Sequence, residues 1–199
     1  GERLRTLESA RDLQAALESL HMDENAARNT TRHLRDQLAA TGCLPTDRTI
    51  LLEHFSDEAG ENQLMVHSIF GRRVNDALAL LLQQAASDAM GVDVKAWNDD
   101  NGALLMAVGN TAIPEGLLQR LDPARAGDLL RAMLPATPLF AMAFRYNAGR
   151  ALMMGARSGK RQALWVQRLR GAEALGTAVK DPRHPLMRET LRECLEDRL

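Results

Sequence analysis

Aromatic side chains are scarce: two Trp, one Tyr and four Phe among 199 residues. With nine Met and abundant Leu and Ala to fill the interior, the composition favours helices. Cys43 and Cys194 stand far apart, which excludes a disulfide framework and a zinc spacing and makes a reducing compartment, the cytoplasm, the default expectation. No apolar run is long enough for a membrane span and no signal peptide opens the chain, so no membrane partner is expected. The histidines (His21, His33, His54, His67, His184) do not pair with one another or with Cys at metal-ligand spacing. No Gly-x-Ser-x-Gly element or carboxylate cluster is present, so an autonomous nuclease or glycosylase has nothing to work with. GARSGKR, Gly155 to Arg161, has the outline of a phosphate loop, but its glycines are too close and Arg161 stands where a Ser or Thr binds magnesium. No nucleotide or metal cofactor is therefore expected of these residues.

What the sequence does contain is an uneven charge pattern. The net charge is −1, yet residues 1–62 hold twelve acids against seven arginines. From Leu129 to Ala172 there is no acid at all, while Arg131, Arg145, Arg150, Arg157, Lys160, Arg161, Arg168 and Arg170 fall in that stretch. Such polarity fits an anionic partner, and it fits equally an internal match to the acidic half.

Periodicity predicts an α+β fold, an antiparallel sheet of about four strands in ββαββ order packed with a helix-rich C-terminal half. Helices are expected from Arg5 to Leu20 and from Glu24 to Ala40, the second capped by Asp23. Strands are expected over Thr49–Phe55, around Leu64–Val66, over Val92–Trp97 and over Leu104–Val108, with turns at Asp57–Gly60 and Asn98–Gly102. Between the second and third strands Ser68 offers a cap. The helix after Gly71 places Val74, Ala77, Leu78, Leu81, Leu82 and Ala85 on one face, covering one side of the sheet. Beyond Pro114 helices are expected over about 114–121, 123–134, 138–154, 160–179 and 184–198. The charged helical start and the uncapped stop at Arg198-Leu199 lead us to expect a piece of a longer protein.

Four groups of residues carry candidate chemistry. Arg72 and Arg73 open a helix, where the macrodipole makes adjacent cations unfavourable unless an anion is near. That anion is a phosphate on the helix N-terminus or a carboxylate from Asp57, Glu58 or Glu61. Strand alternation puts Trp97 on the face of Asp93 and Lys95, where an exposed indole makes a stacking platform for unpaired bases unless a later helix covers it. Arg161, Trp165 and Arg168 share a helix face, a nucleic-acid pattern of low specificity, although Leu169 beside Trp165 fits a ring anchored in the core. The helix over Leu139–Met154 is apolar nearly all round, so Arg145, Asn147 and Arg150 on it need an edge or a partner carboxylate.

Several blocks together resemble a known family. They are LPTDRTILLEHFSDEAGENQLMVHSIFGRRVN (Leu44–Asn75), FRYNAGRAL (Phe144–Leu152), LWVQRLRGAEAL (Leu164–Leu175) and HPLMRETLRECLED (His184–Asp197). In order and spacing they resemble the Lhr (large helicase-related) superfamily 2 ATP-dependent helicases, in the DEAD/H-associated domain that follows the motor domains and a winged helix. The resemblance implies residues 1–45 as a helical lead-in and 46–199 as that domain, truncated at its C-terminus. It implies a parent protein that uses ATP and magnesium, translocates on single-stranded DNA and is associated with DNA repair. With no Walker A loop and no DExH box, this piece is expected to be non-catalytic. Its implied partners are single-stranded DNA and the motor and winged-helix domains of its own polypeptide. Arg72, Arg73 and Asn75 of FGRRVN, and Arg145, Asn147 and Arg150 of FRYNAGR, become candidates for strand or inter-domain contacts. The family commonly has His at Tyr146 and Ala at Gly149. The rival reading is a scaffold that docks on the motor domains without touching nucleic acid and exposes an apolar patch to do so.

Overall fold

Residues 10–155, 162–181 and 183–198 are described by the computed structural model, and their contacts sort into two units, Gly1–Leu118 and Gln119–Leu199. Among the described residues no helix is long and apolar enough to cross a membrane.

The first unit opens with two helices, α1 (Ala10–Glu18) and α2 (Glu24–Thr41). Leu13, Leu17 and Ala27 bury against each other with Met22 and Leu34 packed on them. Asp23 caps α2 as its position predicts, accepting from the Ala26 N–H at 2.9 Å. Gly42 ends the helix in the left-handed region at φ 69°, which glycine adopts without a Cβ penalty.

The sheet follows: β1 (Leu51–Ser56), β2 (Asn62–His67), α3 (Arg72–Met90), β3 (Val94–Asn98) and β4 (Gly102–Ala107). The strands lie in the order β1-β2-β4-β3, every pair antiparallel, which is the predicted ββαββ arrangement. Period-2 alternation sorts side chains by face. Leu64, Val66, Val94, Ala103, Leu105 and Ala107 point to one side and are buried, and α3 lies against β3 and β4. The opposite face keeps Trp97, Phe55 and Lys95 exposed.

Three expectations for this unit change. The buried stripe of α3 is Asn75, Ala79, Leu82 and Ala86, about one residue round from the expected face, and Val74 is left 48% exposed. Ser68 does not cap the helix; Gly71 stands at the N-cap with no side-chain bond, and the buried Ser68 Oγ has no hydrogen-bond partner. The third strand begins at Val94 rather than Val92.

The second unit is helical: α4 (Pro123–Met133), α5 (Pro138–Arg150), α6 (Leu164–Ala178) and α7 (Pro185–Glu193), the last running into a wider turn over Cys194–Arg198. Three of the prolines serve as starts. Pro123, Pro138 and Pro185 sit in the first turn, each preceded by a cap: Asp122, Thr137 and His184. There a missing N–H costs nothing. α5 packs on α6 and α7, with Phe140 and Phe144 fully buried and their rings 6.4 Å apart. α5 closes at Arg150 instead of Met154: Met153 N–H donates to Ala148 O at 3.0 Å and Leu152 N–H to Gly149 O at 3.1 Å, with Leu152 left-handed at φ 58°. This is a Schellman closure with leucine where glycine is usual. It leaves Leu152 83% exposed. The helix expected at 114–121 is absent but for a short turn at Leu118–Arg120; Gly116 has φ 72°. Ile113 and Leu117 are buried, so their helical spacing reflects two anchors of a loop.

Candidate nucleic-acid interface

The first candidate surface surrounds the start of α3. One carboxylate reaches it: Asp100, on the β3–β4 turn, accepts from the Arg72 backbone N–H at 3.2 Å. Asp57 instead closes its own hairpin, accepting from the Ala59 and Glu61 N–H groups at 2.9 Å each. Asn75 is fully buried. Its Nδ2 donates to Ser68 O at 3.1 Å and to Asp99 O at 2.9 Å, and Ser68 N–H donates to Asn101 O at 2.9 Å. The β3–β4 turn and the β2–α3 loop are thereby bolted together, which explains the rotation of α3: Asn75 has to face inward. Asn75 is a clamp beneath the surface, and Arg72 and Arg73 are the exposed side chains above it. Ile69, Phe70 and Val74 are exposed around them.

Trp97 lies on the open face of the sheet. The residue is 50% exposed. It pairs across with Leu104, which pairs with Met65, which pairs with Glu53. The next row runs Lys95, Met106, Gln63, Phe55. The face is thus an apolar strip with an indole and an ammonium on the β3 edge and a phenyl ring on β1. Phe55 was missed in the sequence; the hairpin register, once fixed, places it on this side. His67 and Glu53 form a 2.8 Å pair on the same face.

In the second unit the FRYNAGR block splits by direction. Asn147 is 5% exposed, and its Nδ2 donates to Thr190 Oγ1 at 3.2 Å and Glu193 Oε2 at 2.8 Å, pinning α5 to α7. Arg150 approaches Glu193 at 3.8 Å and donates to Asn147 Oδ1 at 3.4 Å, so it belongs to the same node. Arg145 points elsewhere, its guanidinium 5.4 Å from the ring centroid of Tyr146, a cation–π distance. Tyr146 is 56% exposed and is a second candidate that sequence reading passed over.

On α6 the core-anchor reading of Trp165 fails: the residue is 69% exposed, with Leu164 and Leu169 at 53%. Arg168, one turn on, is exposed. Arg161 lies outside the described residues. Of the cations in the acid-free stretch, Arg131 meets Asp128 at 3.2 Å and Arg150 meets Glu193, whereas Arg170 donates to the carbonyls of Met154 and Gly155. Among the described residues Arg145 and Arg168 form no ion pair. Asp128 and Glu193 lie outside the acidic residues 1–62, so Arg131 and Arg150 are met by local carboxylates, while Arg145 and Arg168 meet none among the described residues. No group of three or more His, Cys, Asp or Glu able to hold a metal occurs among the described residues.

The fold and these surfaces define an α+β module that presents exposed indoles and guanidiniums on each of two units. The model of the family "DEAD/H associated" matches residues 44–199. The chain is 37% identical over 174 residues to the Lhr helicase/probable uracil glycosylase of Mycolicibacterium smegmatis, covering 86% of this chain and 12% of the relative. It is 34% identical over 178 residues to the Lhr helicase/uracil glycosylase of Escherichia coli, covering 88% and 12%. Against the ATP-dependent helicase Lhr-Core of Methanothermobacter thermautotrophicus it is 33% identical over 180 residues, covering 89% and 21%. The solved structure of the Mycobacterium smegmatis helicase Lhr bound to ssDNA and AMP-PNP superposes with a TM-score of 0.86 at 32% identity, over 98% of this chain and 25% of that one. The chain belongs to the DEAD/H associated family. It spans only 12% to 22% of the length of its curated relatives.

Proposed function

We propose that this chain is a non-catalytic accessory domain of an Lhr-type ATP-dependent DNA helicase, one that contacts the single-stranded tracking strand and braces the motor domains. The observation that carries it is the pair of exposed indoles, Trp97 and Trp165, each near arginine or lysine in sequence and strand register, in a chain similar over nearly its whole length to part of a helicase solved with ssDNA. Bases stack on exposed rings without regard to sequence, and guanidiniums hold phosphates. On this reading Arg72, Arg73 and Trp97 in the first unit, and Arg161 and Trp165 in the second, touch the strand. Asn75 holds the start of α3 from beneath, and Asn147 and Arg150 hold α5 against α7. ATP and magnesium belong to the motor domains of the parent polypeptide, residues 1–45 lead in from the preceding module, and the parent acts in the cytoplasm in DNA repair.

The test is titration of a labelled oligonucleotide into the intact helicase at low and moderate salt. Three to four phosphate contacts from this domain add about −2 to −3 to the log–log salt slope. Trp97→Ala and Trp165→Ala each weaken binding by about five- to a hundredfold. Affinity indifferent to both indoles and to Arg72→Glu/Arg73→Glu overturns the strand contact. The scaffold reading is favoured by one observation, the exposed apolar set Ile69, Phe70 and Val74 beside those arginines. Loss of domain assembly with strand affinity retained in the same variants would support it.

A further inference from the structure

A cleft of about 670 Å³ runs between α5 and α6, within the second unit. Pro138, Ala141 and Met142 of α5 form one wall, and Leu175, Gly176 and Val179 the other. Arg145 and Arg168 line it too. The helices are close here because residue 171 is glycine: a Cβ on it would stand 3.0 Å from Arg145 Cγ and 3.1 Å from Arg145 Cβ. Arg145 is consequently pressed along the groove, half-buried, while Arg168 is exposed. Met142 and Val179 remain 38% and 46% exposed at the rim.

We infer that this cleft is a docking groove for an amphipathic polypeptide segment from elsewhere in the same helicase, carrying an Asp or Glu for Arg145 and Arg168 among aliphatic side chains for the walls. The inference rests on the bracing part of the proposed function. Four observations choose a polypeptide over a strand of nucleic acid. The walls are aliphatic, and no aromatic ring among the lining residues offers a base a stacking partner. Only two cations line the cleft, enough for a carboxylate and few for a run of phosphates. Gly171 and Ala172 keep the floor low, so a helix ridge settles into it. Finally, the matched helicase structure is covered over only 25% of its length, so most of such a polypeptide remains to supply the occupant. Arg145 and Arg168 have no carboxylate of their own among the described residues, and a partner acid supplies the missing charge.

The experiment uses the intact helicase with a photocrosslinking benzophenone side chain in place of Met142, with and without a single-stranded oligonucleotide. The expected result is a crosslink, found by peptide mass spectrometry, to one segment outside these 199 residues that carries an acid flanked by aliphatics. It should be unchanged by DNA. Arg145→Glu/Arg168→Glu should lower its yield about tenfold; Arg168→Glu alone, on an exposed residue, should lower it in the same direction without disturbing the α5–α6 contact. A crosslink to the oligonucleotide, to residues within this chain, or to no peptide at all overturns the inference. Strand affinity is read in parallel on Trp97→Ala. Lost affinity there with no crosslink from Met142 sinks the groove and leaves the strand contact standing, and the opposite pair of results does the reverse.

Discussion

Each unit of the molecule buries one asparagine from an arginine-bearing block, and the two are held differently. Asn75 in the sheet unit bonds only to main-chain carbonyls, of Ser68 and Asp99. Asn147 in the helical unit bonds to side chains, of Thr190 and Glu193, and Glu193 in turn draws Arg150. The first clamp depends on chain geometry, since no other side chain has to be preserved for it. The second depends on residues more than forty positions away. In both blocks the asparagine faces inward and its arginine neighbours, Arg72, Arg73 and Arg145, are left to act outside.

The largest expected effect breaks the sheet unit. A Cβ on Gly102 would lie 2.0 Å from Val66 O, where β2 pairs with β4. Gly102→Ala should therefore cost about 3 kcal/mol or more, because main chain on both sides has to move. Urea unfolding followed by Trp97 fluorescence measures it, and a cost below that of an ordinary surface substitution would refute the close approach.

Removing either clamp comes next. Asn75→Ala strands the buried Ser68 carbonyl and the part-buried Asp99 carbonyl and should cost about 2–3 kcal/mol; Asn147→Ala should cost about 1–3 kcal/mol. What separates them is a double-mutant cycle: Asn147→Ala with Thr190→Val should show a coupling of about 0.5–3 kcal/mol. Strict additivity would mean that the bond does not hold α5 to α7.

Two glycines sharpen the helical side further. Gly171→Ala should destabilise by about 1–2 kcal/mol, the clash with Arg145 outweighing the better helix propensity. At Gly149 a Cβ meets nothing within 4 Å, so Gly149→Ala should stabilise by about 0.5–1 kcal/mol. Thermal unfolding of the pair gives shifts of opposite sign if the packing is as described.

The smallest effect is electrostatic. Arg192 on α7 bonds Glu189 and Glu196 at 2.7 Å each, and its hydrogen bond, the main cause, holds the Glu189 carboxyl below the usual range. A lowered carboxyl stabilises the fold above its unfolded-state pKa and loses that contribution as pH falls through the folded one. The groups are at the surface, so Arg192→Gln should lower the neutral-pH melting temperature only slightly, and that difference should vanish as pH falls through the folded-state value. A clear loss at neutral pH would show the pair to be more than a solvated surface contact.

Local rules were enough for much of this protein. Alternation of Leu64 and Val66 and the cap at Asp23 each act within a few residues, and each was legible as such. The four-strand antiparallel sheet with its helix on one face, and the family blocks from Leu44 onward, were readable for the same reason. The tertiary structure alone decided which way the polar residues of those blocks face. Asn75 turns inward because carbonyls seven and twenty-four residues away in the chain need a donor, and that rotates all of α3. Trp165 stays outside because α6 packs through Gly171 and Ala178 instead. Periodicity counts how often an apolar residue returns to a face, but it holds no information about what the face meets, and that meeting is where a clamp and a binding surface part company.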